Sequence, residues 1–160
     1  MGAQVAAQVH RVESEADFQR LHELLIEYEA DLAPELRHGC VPQSGDLRQT
    51  YAPPNAAFLA LLEEDAIGCV AVQKRDSETA VLLRLFVKPP KRGFGAARAL
   101  VTAVIAYARQ QGYRRMVLDT HKNQLVPAYR LYRSLGFAEC APFAEVTYEC
   151  PTFMELRLQD

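Results

Sequence analysis

"KRGFGAARAL", residues 91–100, puts two glycines within three residues, an arginine ahead of them and an apolar run behind. The glycines stand where a helix is about to begin. Upstream, "TAVLLRLFV" (79–87) reads as a strand. It does not alternate between polar and apolar residues, so both of its faces should be covered, as in a central strand. "KPPKRGFG" breaks that strand, and 95–111 then reads as a helix with Ala97, Leu100, Val101, Val104 and Ala108 on one stripe.

Three readings compete for the glycine turn. It is a tight turn or bulge that needs glycine for its backbone alone. Or it is a dinucleotide fingerprint, but Arg98 occupies the third glycine position and the preceding strand does not open a βαβ core. A Walker loop is excluded because no G-K-[ST] follows. Or Arg92, Gly95 and Ala97 mark a pyrophosphate cradle, in which small residues let the backbone approach the ligand. Successive N–H groups would then converge at the positive end of a helix. Lys88, Lys91 and Arg92 form a local positive patch, which suits a small anion.

Elsewhere the chain punctuates itself clearly. Residues 4–12 are valine-rich and read as a first strand. Ser14 and Asp17 make a capping box, and Phe18, Leu21, Leu25, Tyr28 and Leu32 follow at helical spacing, predicting a helix over 15–32. Its other face carries Glu23, Glu27 and Asp31, either a solvated face or the lining of a site for a cation. Residues 33–55 read as a loop with one short helix near 45–52. "AFLALLEE" (57–64), a turn at Asp65–Ala66 and "IGCVAVQKR" (67–75) read as a hairpin. "RRMVLDT" (114–120) is a strand. Pro127 fits the first turn of a short helix closed by Gly136, and 137–143 and 152–158 are two last strands. The order predicts an α/β fold, a mixed sheet of about seven strands with helices on both faces.

The composition agrees with one domain spanning 1–160. Net charge is -2, unlike the strongly basic balance of nucleic-acid binders. No apolar run approaches the roughly 20 residues that span a bilayer. "MGAQVAAQVHRV" lacks the plan of a signal peptide and position 6 lacks the Ser or Thr of a myristoylation site, so the reading is cytoplasmic, with no membrane partner. Cys40, Cys69, Cys140 and Cys150 form no C-x-x-C pair and read as reduced, mostly buried thiols, with no metal.

Three stretches together decide among the readings of the glycine turn. "LLRLFV" (82–87), "KPPKRGFGAARALV" (88–101) and "AYRLYRSLGF" (128–137) resemble the GNAT superfamily of acyl-CoA N-acyltransferases. Its signature is V-x-P-x-x-R-G-x-G-x-[GA] after a central strand, with A-x-x-L-Y-x-x-x-G-F after the next one. The resemblance implies a GNAT fold in which strand 82–87 is bulged and splays from its parallel neighbour 114–119. It implies acetyl-CoA as co-substrate. The main chain of Arg92, Gly93, Phe94, Gly95, Ala96 and Ala97 would hold the pyrophosphate. Leu85, Phe86 and Val87 would pair with the pantetheine, an N–H near Phe86 or Val87 polarising the acetyl carbonyl. The family's asparagine position holds Leu125 here, with Asn123 two residues earlier as a substitute.

The resemblance makes Tyr132 the general acid toward the leaving thiolate. A phenol of pKa about 10 beside a thiol of about 8.5 makes full transfer mildly uphill, but a hydrogen bond to sulfur still helps. Tyr129 is a rival outside the motif. The family's acidic base position is lost to Val81 and Leu83, with Arg84 kept. Glu27, Glu29 or His121 could serve instead. Arg84 interrupts an apolar strand and needs either a helix carboxylate or a substrate carboxylate. Residues 28–55 would wall the acceptor site, bringing Tyr28, Glu29, His38, Tyr51 and Asn55. The acids suit a small amine or polyamine, whereas Arg37, Arg48 and Arg84 suit an amino acid. A peptide N-terminus is the alternative acceptor, and a non-catalytic acyl-CoA sensor is the alternative function. A homodimer through the sheet edge or last strands is expected.

Overall fold

The computed structural model describes residues 6–159. Among these, seven strands form one sheet in the order β1-β2-β3-β4-β5-β7-β6. They are β1 (Gln8–Arg11), β2 (Ala56–Leu62), β3 (Asp65–Lys74), β4 (Thr79–Val87), β5 (Arg115–Thr120), β6 (Ala138–Glu139) and β7 (Thr152–Arg157). The helices are α1 (Glu15–Asp31), α2 (Ser44–Thr50), α3 (Ala96–Gln110) and α4 (Val126–Ser134). All neighbours pair antiparallel except β4 and β5. The expected mixed sheet is therefore present.

The sheet divides two cores. On one face Phe18, Leu21, Leu24 and Leu25 of α1 and Leu47 of α2 pack on Leu59, Cys69, Ala71 and Phe86. On the other, Leu100, Val101 and Val104 of α3 and Tyr132 of α4 pack on Val70, Leu82, Met116 and Leu118. Ser14 caps α1 as its sequence promised, accepting from the Asp17 N–H at 3.0 Å.

Three boundaries differ from the sequence reading. The first hairpin turns at Glu63–Glu64, not Asp65–Ala66, since Leu62 pairs with Asp65 and Glu63 takes φ 58°. A two-residue hairpin calls for positive φ, which Glu63 supplies without glycine. The strand expected over 137–143 shrinks to Ala138–Glu139. Pro142 offers no N–H to a ladder, and only the Cys140 N–H continues the pairing, to Phe153 O at 2.8 Å. The first strand keeps Gln8–Arg11, and residues 4–5 of that reading lie outside the described ones. The thiols also differ: Cys69 is buried, but Cys40 and Cys150 are exposed.

The site is made by what happens inside β4. Opposite it on β3, Cys69 pairs with Phe86 and Ala71 with Leu83, so Val70 faces two residues, Arg84 and Leu85. This is a bulge, and Arg84 absorbs it at φ 62°. Cys69 donates its thiol proton to the Arg84 carbonyl at 3.4 Å. Burial pushes that thiol up to about 12, so it remains a donor. β4 has already left β5 before the bulge. Their parallel pairing covers only Thr79, Ala80 and Val81 against Arg115, Met116 and Val117.

Gly68 lets the bulged segment lie against β3. A Cβ there would stand 2.7 Å from the Phe86 carbonyl oxygen and 3.2 Å from Leu100 Cδ1. Gly68→Ala is expected to cost about 1–3 kcal/mol through overpacking. Chemical denaturation measures this, and an unchanged midpoint would show that β4 can yield freely.

Candidate active site

Where β4 and β5 diverge, a cavity of about 820 Å³ opens. Its walls come from β4 (Leu82–Val87), the end of β5 (Asp119, Thr120), α1 and the turn after it, the glycine turn and α4. Of the residues expected to hold the coenzyme, Leu85, Phe86, Val87, Arg92, Gly93, Gly95, Ala96 and Ala97 line this cavity. Phe94 does not. It is 65% exposed and lies outside the cavity walls.

The glycine turn has a backbone reason. Gly93 and Gly95 lie at φ 87° and 89°, the left-handed region. A Cβ at either meets no heavy atom within 4 Å, so no neighbouring protein atom requires glycine there. The space above them is open. Gly95 is the N-cap of α3 and supplies no side-chain cap, so the first N–H groups of that helix have no helical acceptor. These donors and the small surface fit a diphosphate. The Arg92 side chain is already engaged: its Nε donates to Val87 O at 2.8 Å and its Nη2 to Asp31 Oδ2 at 2.7 Å.

Tyr132 lies at the opposite wall. "LYRSLGF" ends α4 in a Schellman turn, with the Phe137 N–H donating to Tyr132 O at 3.0 Å and the Gly136 N–H to Arg133 O at 3.1 Å. Gly136 takes the left-handed φ of 103° that this turn needs. The Tyr132 ring packs edge-on against Phe137, with centroids 5.6 Å apart. Burial pushes the Tyr132 phenol well above its ordinary value, and the neighbouring Tyr28 and Asp119 add to the effect. The hydroxyl therefore stays protonated. Tyr129 faces elsewhere and donates to Glu139 Oε2 at 2.8 Å.

The expected acceptor residues separate into two groups. Tyr28 and Arg84 line the cavity, whereas Glu29, Asn123 and His121 are not among its walls. Glu29 accepts from the His38 N–H at 2.9 Å, meets His38 Nδ1 at 2.7 Å and lies 3.6 Å from Arg84 Nη1. Arg84 thus has the helix carboxylate. Burial pushes the Tyr28 phenol up, Arg84 opposing it. His121 is buried, and its Nδ1 accepts from the Gln124 N–H at 3.1 Å, as part of the turn after β5. Gln124 and Leu125 reach the cavity where Asn123 does not. Arg37 is spent on the carbonyls of Glu29 and Leu32, and Arg48 lies over the Phe18 ring. Asn55 ties the start of β2 to Lys74 and Thr50, and Tyr51 is buried in the core.

Three acids of α1 are neither free nor merely solvated, whereas Glu23 makes no ion pair among the described residues. Glu27 meets Lys88 at 3.5 Å, Glu29 meets Arg84 and Asp31 meets Arg92. Sequence reading missed Asp119, Thr120, Gln124 and Arg98 as cavity walls. The signal for Asp119 was present: a lone charge in "MVLDT", one residue from the strand's end. Among the described residues, no group of three or more His, Cys, Asp or Glu is placed to hold a metal ion. No helix there is long and apolar enough to cross a membrane.

This geometry accords with the comparisons. Residues 18–137 match the acetyltransferase (GNAT) family model. The chain is similar to an uncharacterised N-acetyltransferase of Schizosaccharomyces pombe, 36% identical over 111 residues that make up 68% of each chain. It is 38% identical to N-acetylaspartate synthetase of Rattus norvegicus over 95 residues, 58% of this chain but only 31% of that protein. Its fold also matches a Salmonella typhimurium structure described with its cofactor acetyl-CoA, at TM-score 0.78 and 21% identity, covering 97% of this chain and 95% of that one. The chain belongs to the GNAT acetyltransferase family.

Because nothing crowds Gly95, Gly95→Ala tests the backbone alone. It should cost about 1–2 kcal/mol, the price of a left-handed non-glycine residue. Urea denaturation checks this, and a fully stable variant would mean that the turn can re-form with negative φ.

Proposed function

We propose that this protein moves the acetyl group of acetyl-CoA to a primary amine of a small molecule by direct attack in a ternary complex. The observation that supports it most is the convergence on one cavity of the bulged strand edge at Leu85–Val87, the glycine turn and the Tyr132 ring. The turn would hold the diphosphate of the coenzyme through the main chain from Arg92 to Ala97. The β4 edge would pair with the pantetheine amides as an added strand does. An N–H at Phe86 or Val87 would meet the acetyl carbonyl and gain strength as charge develops on its oxygen.

Tyr132 serves the leaving sulfur. With its phenol raised by burial, it holds its proton and acts as a hydrogen-bond donor to the developing thiolate rather than as a strong acid. The amine would enter from the side of α1 and the turn after it, with Tyr28 and Arg84 on the cavity wall. Arg84 is only about a quarter exposed and already shares Glu29, so an acceptor bearing a carboxylate would compete with that ion pair. Small cationic amines face no such competition.

Release of free thiol from acetyl-CoA across a panel of amines and amino acids tests the proposal directly. Tyr132→Phe should lower kcat by about 100-fold, the usual scale for a positioned proton donor, with little change in the KM for acetyl-CoA. Binding of acetyl-CoA without turnover of any amine, and a phenylalanine variant indistinguishable from wild type, would favour an acyl-CoA sensor instead.

A further inference from the structure

Two carboxylates line the cavity, Asp31 and Asp119. Asp31 is held by the Arg92 guanidinium at 2.7 Å. Asp119 has no Lys, Arg or His within ion-pair distance among the described residues, unlike Glu27, Glu29 and Asp31. Its place in β5 sets its direction. Met116 and Leu118 belong to the core under α3 and α4, so by strand alternation Asp119 shares the other face with Val117. That is the face covered by α1 and α2. Asp119 also lies just beyond Val117, the last residue that pairs with β4. It therefore stands at the mouth of the splay, on the side opposite the helix that carries Tyr132.

Its orientation is fixed from the loop between β6 and β7. The Tyr148 hydroxyl donates to Asp119 Oδ2 at 2.7 Å, with Thr120 O also within 3.0 Å. This engages one carboxylate oxygen, and Oδ1 accepts no hydrogen bond among the described residues. The groups facing Asp119 are phenols: Tyr28 from α1, Tyr132 from α4 and Tyr148 from the loop. His121 lies just past the end of β5, its ring tilted against Tyr148 at 6.3 Å, and Arg84 of β4 shares the cavity. Burial, with the charge of Asp119 contributing, pushes all three phenols up, so each keeps its proton and offers a hydrogen bond rather than serving as a base.

We propose that Asp119 receives the acceptor's protonated amine and takes its proton, with Tyr148 as its positioning residue; this rests on the acetyl-transfer reading above. The substrate class is then a primary amine that is cationic in solution. The ammonium gives one proton to Asp119, directly or through one water. The neutral nitrogen attacks the thioester carbon, forming the C–N bond. The C–S bond breaks as the intermediate collapses. The second proton leaves the nitrogen for water, the thiolate held by the Tyr132 hydrogen bond takes a proton from water, and Asp119 releases its own proton to water. The sum is amine cation plus acetyl-CoA giving amide, free thiol and one proton.

The test uses the whole chain, an amine that the wild type acetylates, and Asp119→Asn, Asp119→Glu and Tyr148→Phe. Asp119→Asn should lower kcat/KM for the amine by at least about 100-fold, while calorimetry gives the wild-type Kd for acetyl-CoA. Asp119→Glu should recover part of the loss. Tyr148→Phe should keep its activity at high pH but move the acidic limb of kcat/KM upward. Removing a hydrogen bond donated to the carboxylate raises that group's pKa, and a merely structural tyrosine would not shift the limb. Wild-type turnover that persists in Asp119→Asn overturns the role of Asp119 and leaves acetyl transfer standing. An unmoved limb in Tyr148→Phe overturns the role of Tyr148. A wild type that acetylates no amine overturns acetyl transfer and this inference with it.

Discussion

Parallel pairing between β4 and β5 lasts for three residue pairs and then stops. That interruption is the constraint on which the rest depends. Main-chain donors and acceptors withdrawn from a ladder cost about 1–3 kcal/mol each when buried without a partner. The fold meets part of this cost with its own groups. The Arg84 carbonyl takes the Cys69 thiol, the Val87 carbonyl takes Arg92 Nε, and the Lys88 N–H reaches Ile67 O at 2.8 Å. Each of these contacts lies at or after the bulge. They hold β4 away from β5 and leave an edge between them that a ligand carrying amides can complete.

The same divergence explains why α1 carries acids at Glu27, Glu29 and Asp31. A strand that leaves its neighbour must be held by something else. Lys88, Arg84 and Arg92 attach β4 and the turn after it to α1 through these three pairs. They are partly solvated, so each contributes little on its own, about 0–1 kcal/mol. Their value is directional. Arg92 spans from the strand end to the helix and also lies over the Phe86 ring at 5.8 Å. A diphosphate arriving in the cradle would draw on a guanidinium that Asp31 already shares, so its grip would come more from the main-chain donors at the start of α3 than from the arginine.

Local patterns made most of the architecture legible. Periodicity placed α1 and α3, the unbroken apolar run placed β4 at the sheet centre, and the cap at Ser14 was read directly. The turn that ends α4 was legible through the motif around Tyr132, and the Schellman turn at Gly136 supplies its physical basis. What sequence could not supply was which side chains non-local contacts had already claimed. His121 looked like a free base, yet its Nδ1 accepts from the turn that follows it. Glu29 looked like a substrate ligand, yet His38 and Arg84 hold it. Asn123 seemed a substitute for the missing asparagine, but the turn brings Gln124 to the wall instead. Pro142 was visible in the sequence, and its missing N–H argued against the strand that was expected around it.

The cavity is lined by both signs of charge: Asp31 is paired with Arg92, Arg84 lies beside Glu29, and Asp119 has no ion-pair partner among the described residues. Lys91, Arg92 and Arg98 cluster at the start of α3, where the helix itself presents positive potential. Asp119 sits at the far side, at the end of β5, where strand alternation turns it away from the apolar core of α3 and α4. Between them lie Leu83, Leu85, Phe86 and Leu131. A thioester is neutral and its leaving sulfur only weakly solvated, so an apolar middle costs it little. Under the proposed reaction, an anionic coenzyme would be favoured at the first end and a cationic amine at the second. The order of the chain produces this sorting, because the glycine turn must follow β4 while Asp119 must end β5. Only the splay brings those two places to one cavity.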